Sequence, residues 1–251
     1  MPSSAQLSLL TRTPSSIAHA HDHTVPVYLR AASLVQEWGG AGGSASAVAP
    51  RVNPVVERLR LLVGARPAPS LDRANLLSSE VAALDAWLHG WPRPGITEIA
   101  ERPGAGRLAP ILPALVRMTR QGRSIVVIDP EQQFRPTRDM DASQVVVVRA
   151  PRERAAWAAE QVARSGAVEA LLLLDLAPLG RAGMRLARAC EAGGMAVFVV
   201  SAQAEGDLPA ALRLCVDGWA APSRLRVRCT RSRDGRAQTA EGGHGRVVEL
   251  G

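Results

Sequence analysis

The sequence contains no lysine among its 251 residues, so arginine supplies every cationic side chain of the lysine and arginine class. A P-loop normally uses a lysine ammonium to reach the terminal phosphates of a nucleotide, and Schiff-base enzymes use a lysine amine. Arginine is bulkier, planar and always charged, so it replaces neither group directly. The missing lysine therefore excludes lysine-dependent catalysis and predicts that any phosphate-binding loop here departs from the usual pattern.

Aromatic residues, cysteines and long apolar runs are also scarce. Aromatic side chains make up 3% of the chain, so a core must be built from Ala, Val and Leu. The three cysteines lack metal-ligand spacing and are typical of thiols in a reducing cytosol, so we expect no metal and no cofactor. No apolar run is long enough to cross a membrane, and no basic segment precedes an apolar one near the N-terminus. We therefore expect no membrane contact and a cytoplasmic protein.

The charge of the chain favours acidic partners. Its formal net charge is +7, and hydrophobic residues make up 47% of the sequence. A sizeable core is therefore possible alongside a basic surface, and a basic surface favours nucleic acid among other acidic ligands.

The chain is predicted to have four parts. Residues 1–50 are rich in Ser, Ala, Gly and Pro and are expected to be a disordered tail, within which Tyr28–Trp38 could form a helix on a partner. Residues 51–77 are expected to hold a helix and a linker. Residues 78–223 form the predicted core, and residues 224–251 a basic β-hairpin across a Gly-rich connection.

Helices and strands alternate in the predicted core, which indicates a mainly parallel sheet covered by helices on both faces. Ser78 or Ser79 is the expected N-cap of the first helix. The strands are apolar throughout, as buried parallel strands are. The predicted elements are helix Glu80–His89, strand Ile96–Ala100, helix Gly106–Arg120, strands Ser124–Asp129 and Gln144–Arg149, helix Arg152–Ser165, strand Glu169–Asp175, helix Arg181–Ala192 and strand Met195–Ser201.

A small-residue loop follows the first predicted core strand, where a P-loop would lie. A working P-loop needs G-x-x-x-x-G-K-[ST], because glycines let backbone N–H groups wrap a phosphate, lysine reaches the terminal phosphates, and a hydroxyl holds Mg²⁺. This chain has Glu101 at the first glycine position, Arg107 at the lysine position and Leu108 at the hydroxyl position, with Gly104 and Gly106 retained in the loop. A carboxylate repels a triphosphate and leucine cannot ligate magnesium, so we expect no ATP hydrolysis.

Several segments resemble the RecA recombinase core in order and spacing across about residues 75–232. The stretch 77–99 (LSSEVAALDAWLHGWPRPGITEI) is similar to the segment that leads into the RecA phosphate loop. The strand end at 128–131 (IDPE) resembles the one that carries the RecA catalytic glutamate, and 171–175 (LLLLD) resembles its Walker B strand. The resemblance implies a RecA-like P-loop NTPase core with a degenerate phosphate loop and C-terminal antiparallel strands, in which Glu131 and Asp175 are catalytic relics.

The chain further resembles the ImuA family, small RecA-like proteins encoded with a translesion polymerase cassette. The shared features are the 77–99 segment, the eroded loop ending in G-x-G-R-L, the helix 157–166 (WAAEQVARSG) and the arginine-rich hairpin 225–236 (LRVRCTRSRDGR). This resemblance implies a non-catalytic role in SOS mutagenesis, with RecA and the polymerase-like protein ImuB as partners and a nucleoid-associated location. The DNA-binding loops of RecA are missing, because helix 181–192 follows Asp175 closely and 202–223 carries a helix-like LPAALRL.

Two arginine groups are candidates for contact with a partner or DNA. Three arginines lie three and four residues apart on one predicted helix face, and alternation in the terminal strand places further arginines on one side. An active RecA-like ATPase and a DNA-binding accessory domain remain alternative functions. The candidates are Arg181, Arg185, Arg188, Arg224, Arg226, Arg228, Arg231, Arg233 and Arg236.

Overall fold

A computed structural model describes residues 27–30, 76–101, 104–176, 178–204, 206–233 and 246–250. The predicted helix and linker within residues 51–75 lie outside the described residues, as does most of the predicted tail. The proposed division into four domains therefore stays a prediction.

Nine strands form one sheet in the described part of the chain, in the order β1-β4-β3-β5-β6-β2-β7-β8-β9. The pairs from β1 through β7 are parallel, and the pairs β7–β8 and β8–β9 are antiparallel. The strands are β1 Val27–Arg30, β2 Gly95–Glu101, β3 Ile125–Ile128, β4 Val145–Arg149, β5 Ala170–Leu174, β6 Ala196–Ser201, β7 Leu212–Ala221, β8 Arg224–Ser232 and β9 Arg246–Glu249.

In the described part of the chain, four α-helices cover the two faces of this sheet. Apolar residues of α1 and α2 pack on one face, and those of α3 and α4 pack on the other. The strands β3, β4 and β5 are buried on both sides, which explains why they are apolar at nearly every position. The helices are α1 Ala82–Leu88, α2 Leu112–Arg120, α3 Arg152–Ser165 and α4 Arg181–Gly193. The predicted α/β fold with a mainly parallel sheet is confirmed.

Two predicted helix starts are corrected. Helix α1 begins after Val81, and Ser79 Oγ accepts a hydrogen bond from the Val81 N–H at 3.1 Å, so neither Ser78 nor Ser79 is its N-cap. Helix α2 was expected from Gly106 but begins at Leu112, because residues 107–110 form tight turns. Gly106 itself has a φ of 84°, which is incompatible with a right-handed helix.

The segment 202–223 was expected to carry a helix and instead contains β7. Leu212, Leu214 and Val216 alternate with half-buried residues along this strand and point into the core. Ala and Leu favour a helix locally, but pairing with β2 on one side and β8 on the other determines the conformation here. The β8–β9 pair continues the main sheet through β7, so the predicted antiparallel end of the fold is confirmed.

The terminal strands also contribute to the core. Leu225 and Val227 are fully buried and Val248 is 2% exposed, all in the cluster under α1 and α2. The sequence alone predicts that residues 221–251 can be removed without unfolding the core. The burial of Leu225, Val227 and Val248 argues against this prediction, because the deletion would remove part of the core. Single substitutions are therefore the appropriate way to test the function of this region.

The N-terminal segment differs from expectation at four residues. Val27–Arg30 form β1, which pairs in parallel with β4 at the edge of the sheet, from Val27 opposite Val146 to Arg30 opposite Arg149. They are therefore neither disordered nor helical, since backbone pairing with an edge strand stabilises the extended form. Among the described residues, no helix combines the length and the apolarity that a membrane span requires.

Candidate functional site: a phosphate loop filled by carboxylates

The degenerate loop lies between the carboxyl end of β2 and α2, at the edge of the sheet where ligands bind in open α/β folds. Gly104 is exposed with a φ of 81°, and Gly106 follows with a φ of 84°. These left-handed conformations suit glycine and turn the chain sharply before the helix. The described residues 104–108 thus turn the chain between β2 and α2, and their side chains decide what this segment can bind.

Glu101 occupies the loop from within. Its Oε1 accepts a hydrogen bond from the Gly106 N–H at 2.7 Å, and its Oε2 lies 3.6 Å from Arg107 Nε. The Glu101 side chain is only 10% exposed. Backbone N–H groups of such a loop are the groups that bind a phosphate. A carboxylate of the chain already holds one of them.

Arg107 is held by three groups of the protein. Its Nη1 donates to Asp175 Oδ2 at 2.5 Å, its Nη2 donates to Gln133 Oε1 at 2.6 Å, and its Nε faces Glu101. Asp175 directly follows β5, with a φ of 47° and its N–H bonded to the Val200 carbonyl. The guanidinium fork therefore connects the ends of β2, β3 and β5, and one cation faces two carboxylates.

An open cleft of about 820 Å³ lies beside the loop and has mainly apolar walls. Leu108, at the position where magnesium would need a hydroxyl, lines this cleft. Trp219 of β7 also lines it and is 49% exposed. The ring packs so closely on the loop that a Cβ placed on Gly106 would lie 2.9 Å from Trp219 Nε1. The other wall residues are Glu101, Gly104, Arg107, Ala109, Leu112, Pro113, Ala202 and Leu250.

Glu131 and Asp129 lie beyond the end of β3. Glu131 is exposed and its carboxylate accepts from Arg152 Nε at 2.7 Å, so an arginine of α3 holds the residue that was predicted to be a catalytic relic. Asp129 is 1% exposed and accepts the Phe134 N–H at 2.7 Å through Oδ2, which closes the turn after β3. Its Oδ1 is buried with no hydrogen-bond partner. Among the described residues, no group of three or more His, Cys, Asp or Glu side chains could hold a metal ion.

The arginines predicted on α4 divide into two kinds. Arg185 Nε donates to Glu160 Oε2 on α3 at 3.0 Å, and the same carboxylate group accepts from Arg164. Arg181 and Arg188 are exposed on the helix surface. The helix spacing was therefore predicted correctly, but one of the three guanidinium groups joins α4 to α3.

The terminal arginines also fall into a group that pairs with carboxylates and a group that is exposed. Arg228 donates to both carboxylate oxygens of Asp217 at 2.7 Å, and this hydrogen bonding raises the pKa of the guanidinium, with burial opposing. Arg224 lies 3.8 Å from Glu249, and Arg226 is exposed. Arg231 and Arg233 line a second pocket together with Arg188. Arg236 lies outside the described residues.

Three residues of the loop region were missed by sequence reasoning. Gln133 and Asp129 lie in the turn after β3, and only the proximity of strand ends in a parallel sheet could have drawn attention to them. Trp219 was missed because no strand was predicted within residues 202–223. Five tryptophans in a chain with so few aromatic residues were the available signal.

Comparison with known proteins gives one result on the fold. No family model matches the chain, and no curated protein matches it. Solved structures do match, among them the crystal structure of the RadB recombinase, with a TM-score of 0.54 and 15% identity over 66% of this chain and 93% of that one. The chain therefore has a RecA-like recombinase fold, with a mostly parallel sheet and antiparallel C-terminal strands.

Proposed function

We propose that this chain is a non-catalytic RecA-fold accessory protein of DNA-damage tolerance. It acts by binding RecA, a polymerase-like protein of the ImuB type, or both, in SOS mutagenesis and translesion synthesis. The resemblance to the ImuA family supplies the partners, and the likeness to a recombinase is consistent with a role in DNA repair. The observation that carries the non-catalytic part is the Glu101–Arg107–Asp175 network in the phosphate loop.

This network opposes nucleotide binding in two ways. A triphosphate would have to displace Glu101 from the Gly106 N–H and Asp175 from the Arg107 guanidinium. It would also meet a site in which the three side chains carry a net negative charge, so its own charge would be repelled. Leu108 offers no oxygen to a metal ion. The residues present therefore do not fit Mg-ATP.

The cleft beside the loop supports a protein partner. An exposed tryptophan above an apolar wall is typical of the anchor points that contribute most to protein interfaces. Trp219 and Leu108 form such a surface at the edge of the sheet where a nucleotide would otherwise bind. We assign this cleft to an apolar side chain of the RecA or ImuB-type partner.

The first experiment measures Mg-ATP binding and turnover by the full-length protein, with and without single-stranded DNA. We expect neither binding nor turnover. Turnover that Arg107→Ala abolishes would overturn the proposal in favour of an active RecA-like ATPase. Turnover that persists in that variant would indicate a contaminating enzyme.

The second experiment measures association with purified RecA and with an ImuB-type protein by surface plasmon resonance. We expect Trp219→Asp to weaken binding of at least one partner by tenfold or more, because interface tryptophans often contribute at least about 2 kcal/mol. Val247→Asp is the matched control, since Val247 is also 49% exposed but lies on β9 and does not line the cleft. Equal effects of the two substitutions would contradict the assignment of the cleft.

A further inference from the structure

A second pocket, of about 430 Å³, lies at the amino end of β2, whereas the phosphate loop lies at the carboxyl end of the same strand. Gly95 and Ile96, at the start of β2, lie on one side of it, and Ala210 and Ala211 precede β7 on the other. Strand β2 separates the two sites, and its seven residues correspond to about 20 Å. A ligand in this pocket would not contact Glu101 or Arg107.

Three arginines line this pocket: Arg188 from α4, Arg231 from β8 and Arg233 just after β8. All three are exposed, and none has an ion-pair partner among the described residues. One carboxylate, Glu191, lies in the same lining. The described lining of the pocket therefore carries an excess of positive charge. Its arginines differ in this respect from Arg107, Arg185 and Arg228, each of which is held by carboxylates of the chain.

An irregularity in the β7–β8 pairing places Arg231 in this pocket. Cys229 faces the core, and regular alternation would turn the residue two positions later to the same face. A register shift between Arg213 and Leu214 instead sets Arg231 opposite Arg213, whose guanidinium pairs with Glu98 on the α4 side of the sheet. A backbone hydrogen bond of 2.8 Å from the Arg233 N–H to the Ala211 carbonyl fixes the next arginine.

The buried residues of the lining form the floor of the pocket, and they are apolar. Ile96 and Ala210 are buried in it, and Pro94 and Pro209 are partly covered. Met184 of α4 stands beside them with half of its surface exposed. An acidic peptide would use the arginines but fills this floor only where an aromatic residue lies beside its carboxylates, whereas every nucleotide of a single strand presents a phosphate and a base at once.

We propose that this pocket, the Arg188–Arg231–Arg233 pocket, binds single-stranded nucleic acid. The arginines contact successive phosphates, and one base lies on the floor beside Met184. Arg231 and Arg233 are two residues apart and extend along the strand, so they follow a backbone instead of converging on one phosphate. This inference goes beyond the proposed function, because it needs neither the phosphate loop nor the cleft of Trp219.

The test measures fluorescence anisotropy of a labelled thymidine oligonucleotide with the full-length protein across a range of salt concentrations. On a single strand, each phosphate contact contributes about 0.7 to the slope of the logarithm of the binding constant against the logarithm of the salt concentration. Because Arg231→Ala/Arg233→Ala removes two such contacts, we expect it to weaken binding about 25-fold at about 0.1 M salt. The slope itself should fall by about 1.4. The matched control is Arg138→Ala/Arg154→Ala, which removes the same charge from two exposed arginines outside the pocket.

Met184→Ala tests the base contact, because it leaves every charge in place. We expect it to weaken binding of the thymidine oligonucleotide while leaving binding of an abasic oligonucleotide of equal length unchanged. Circular dichroism and urea denaturation of each variant confirm that it is folded.

Three outcomes would overturn the proposal. Equal losses in the two double variants would show that only overall charge matters. Polyglutamate of matched charge competing as well as the oligonucleotide would assign the pocket to an acidic protein, and preference for duplex DNA would exclude a single-strand site. Each outcome is separate from failure of the proposed function, which ATP turnover and partner binding report.

Discussion

Replacing Arg107 by alanine should destabilise the protein even when no ligand is present. Arg107 makes two hydrogen bonds of 2.5 and 2.6 Å and faces a second carboxylate at 3.6 Å. A hydrogen bond to a charged group contributes about 1.5–3 kcal/mol, and removing one partner of a buried pair leaves the other charge uncompensated. The Arg107 side chain is 21% exposed, so solvent screens part of this effect. We expect a loss of about 2–3 kcal/mol.

Urea denaturation followed by circular dichroism measures this loss. With a slope of about 2–3 kcal/mol per molar urea, the midpoint should fall by about 1 M. Arg107→Lys should lie between wild type and Arg107→Ala, because lysine keeps the charge but lacks the planar fork that reaches Asp175 and Gln133 together. A double-mutant cycle with Asp175→Asn should give a coupling free energy of about 1–2 kcal/mol.

The alternative is a loop in which Arg107 is available to a nucleotide and is not held by the protein. If Arg107 were free to receive a nucleotide, Arg107→Ala would leave the urea midpoint unchanged, and the cycle with Asp175→Asn would be additive. Mg-ATP would then raise the midpoint of the wild type by binding the folded state. Together these results would refute a loop that is filled by its own carboxylates.

Three further predictions concern packing and the buried thiol. Leu225→Ala should lower the free energy of unfolding by about 2–5 kcal/mol, whereas Arg226→Ala on the opposite face of β8 should change it by less than about 0.5 kcal/mol in urea denaturation. Gly106→Ala should cost about 1–2 kcal/mol for its positive φ and should shift the emission of Trp219, because the new Cβ would lie 2.9 Å from that ring; an unchanged spectrum would contradict the close packing of Trp219 on the loop. Burial raises the pKa of the Cys190 thiol to about 12, so it should resist iodoacetamide at pH 8 until urea unfolds the chain. Because the unfolded thiol ionises at lower pH, this group makes folding less favourable as pH rises above about 8.5.

The alternation of helices and strands in the core could be predicted from the sequence because burial is encoded locally. Strands such as β3 and β5 are apolar at every position, and α3 was bounded correctly at both Arg152 and Ser165. The segment at β7 could not be predicted in this way. Its Leu and Ala residues favour a helix, and only pairing with strands that lie far away in the sequence makes it extended.

Only part of the site could be predicted from the sequence, because contacts between residues far apart in the chain are not encoded locally. The sequence placed Glu101, Arg107 and Leu108 in one loop, since they are neighbours in the chain. It could not show that Arg107 reaches Asp175, which lies 68 residues further on, or that Gln133 completes the set. Such contacts depend on which strands are adjacent, and local patterns do not determine strand order.

The changes in the phosphate loop are physically interdependent. Arginine at position 107 without Glu101 and Asp175 would place a partly buried cation beside an empty anion site. Glutamate at position 101 without the Gly106 N–H would bury an unpaired carboxylate. Present together, these residues satisfy one another and connect three strand ends. Changing Glu101 to glycine alone would therefore not recreate a nucleotide site, because Asp175 would still hold the guanidinium and Leu108 would still offer no ligand to magnesium.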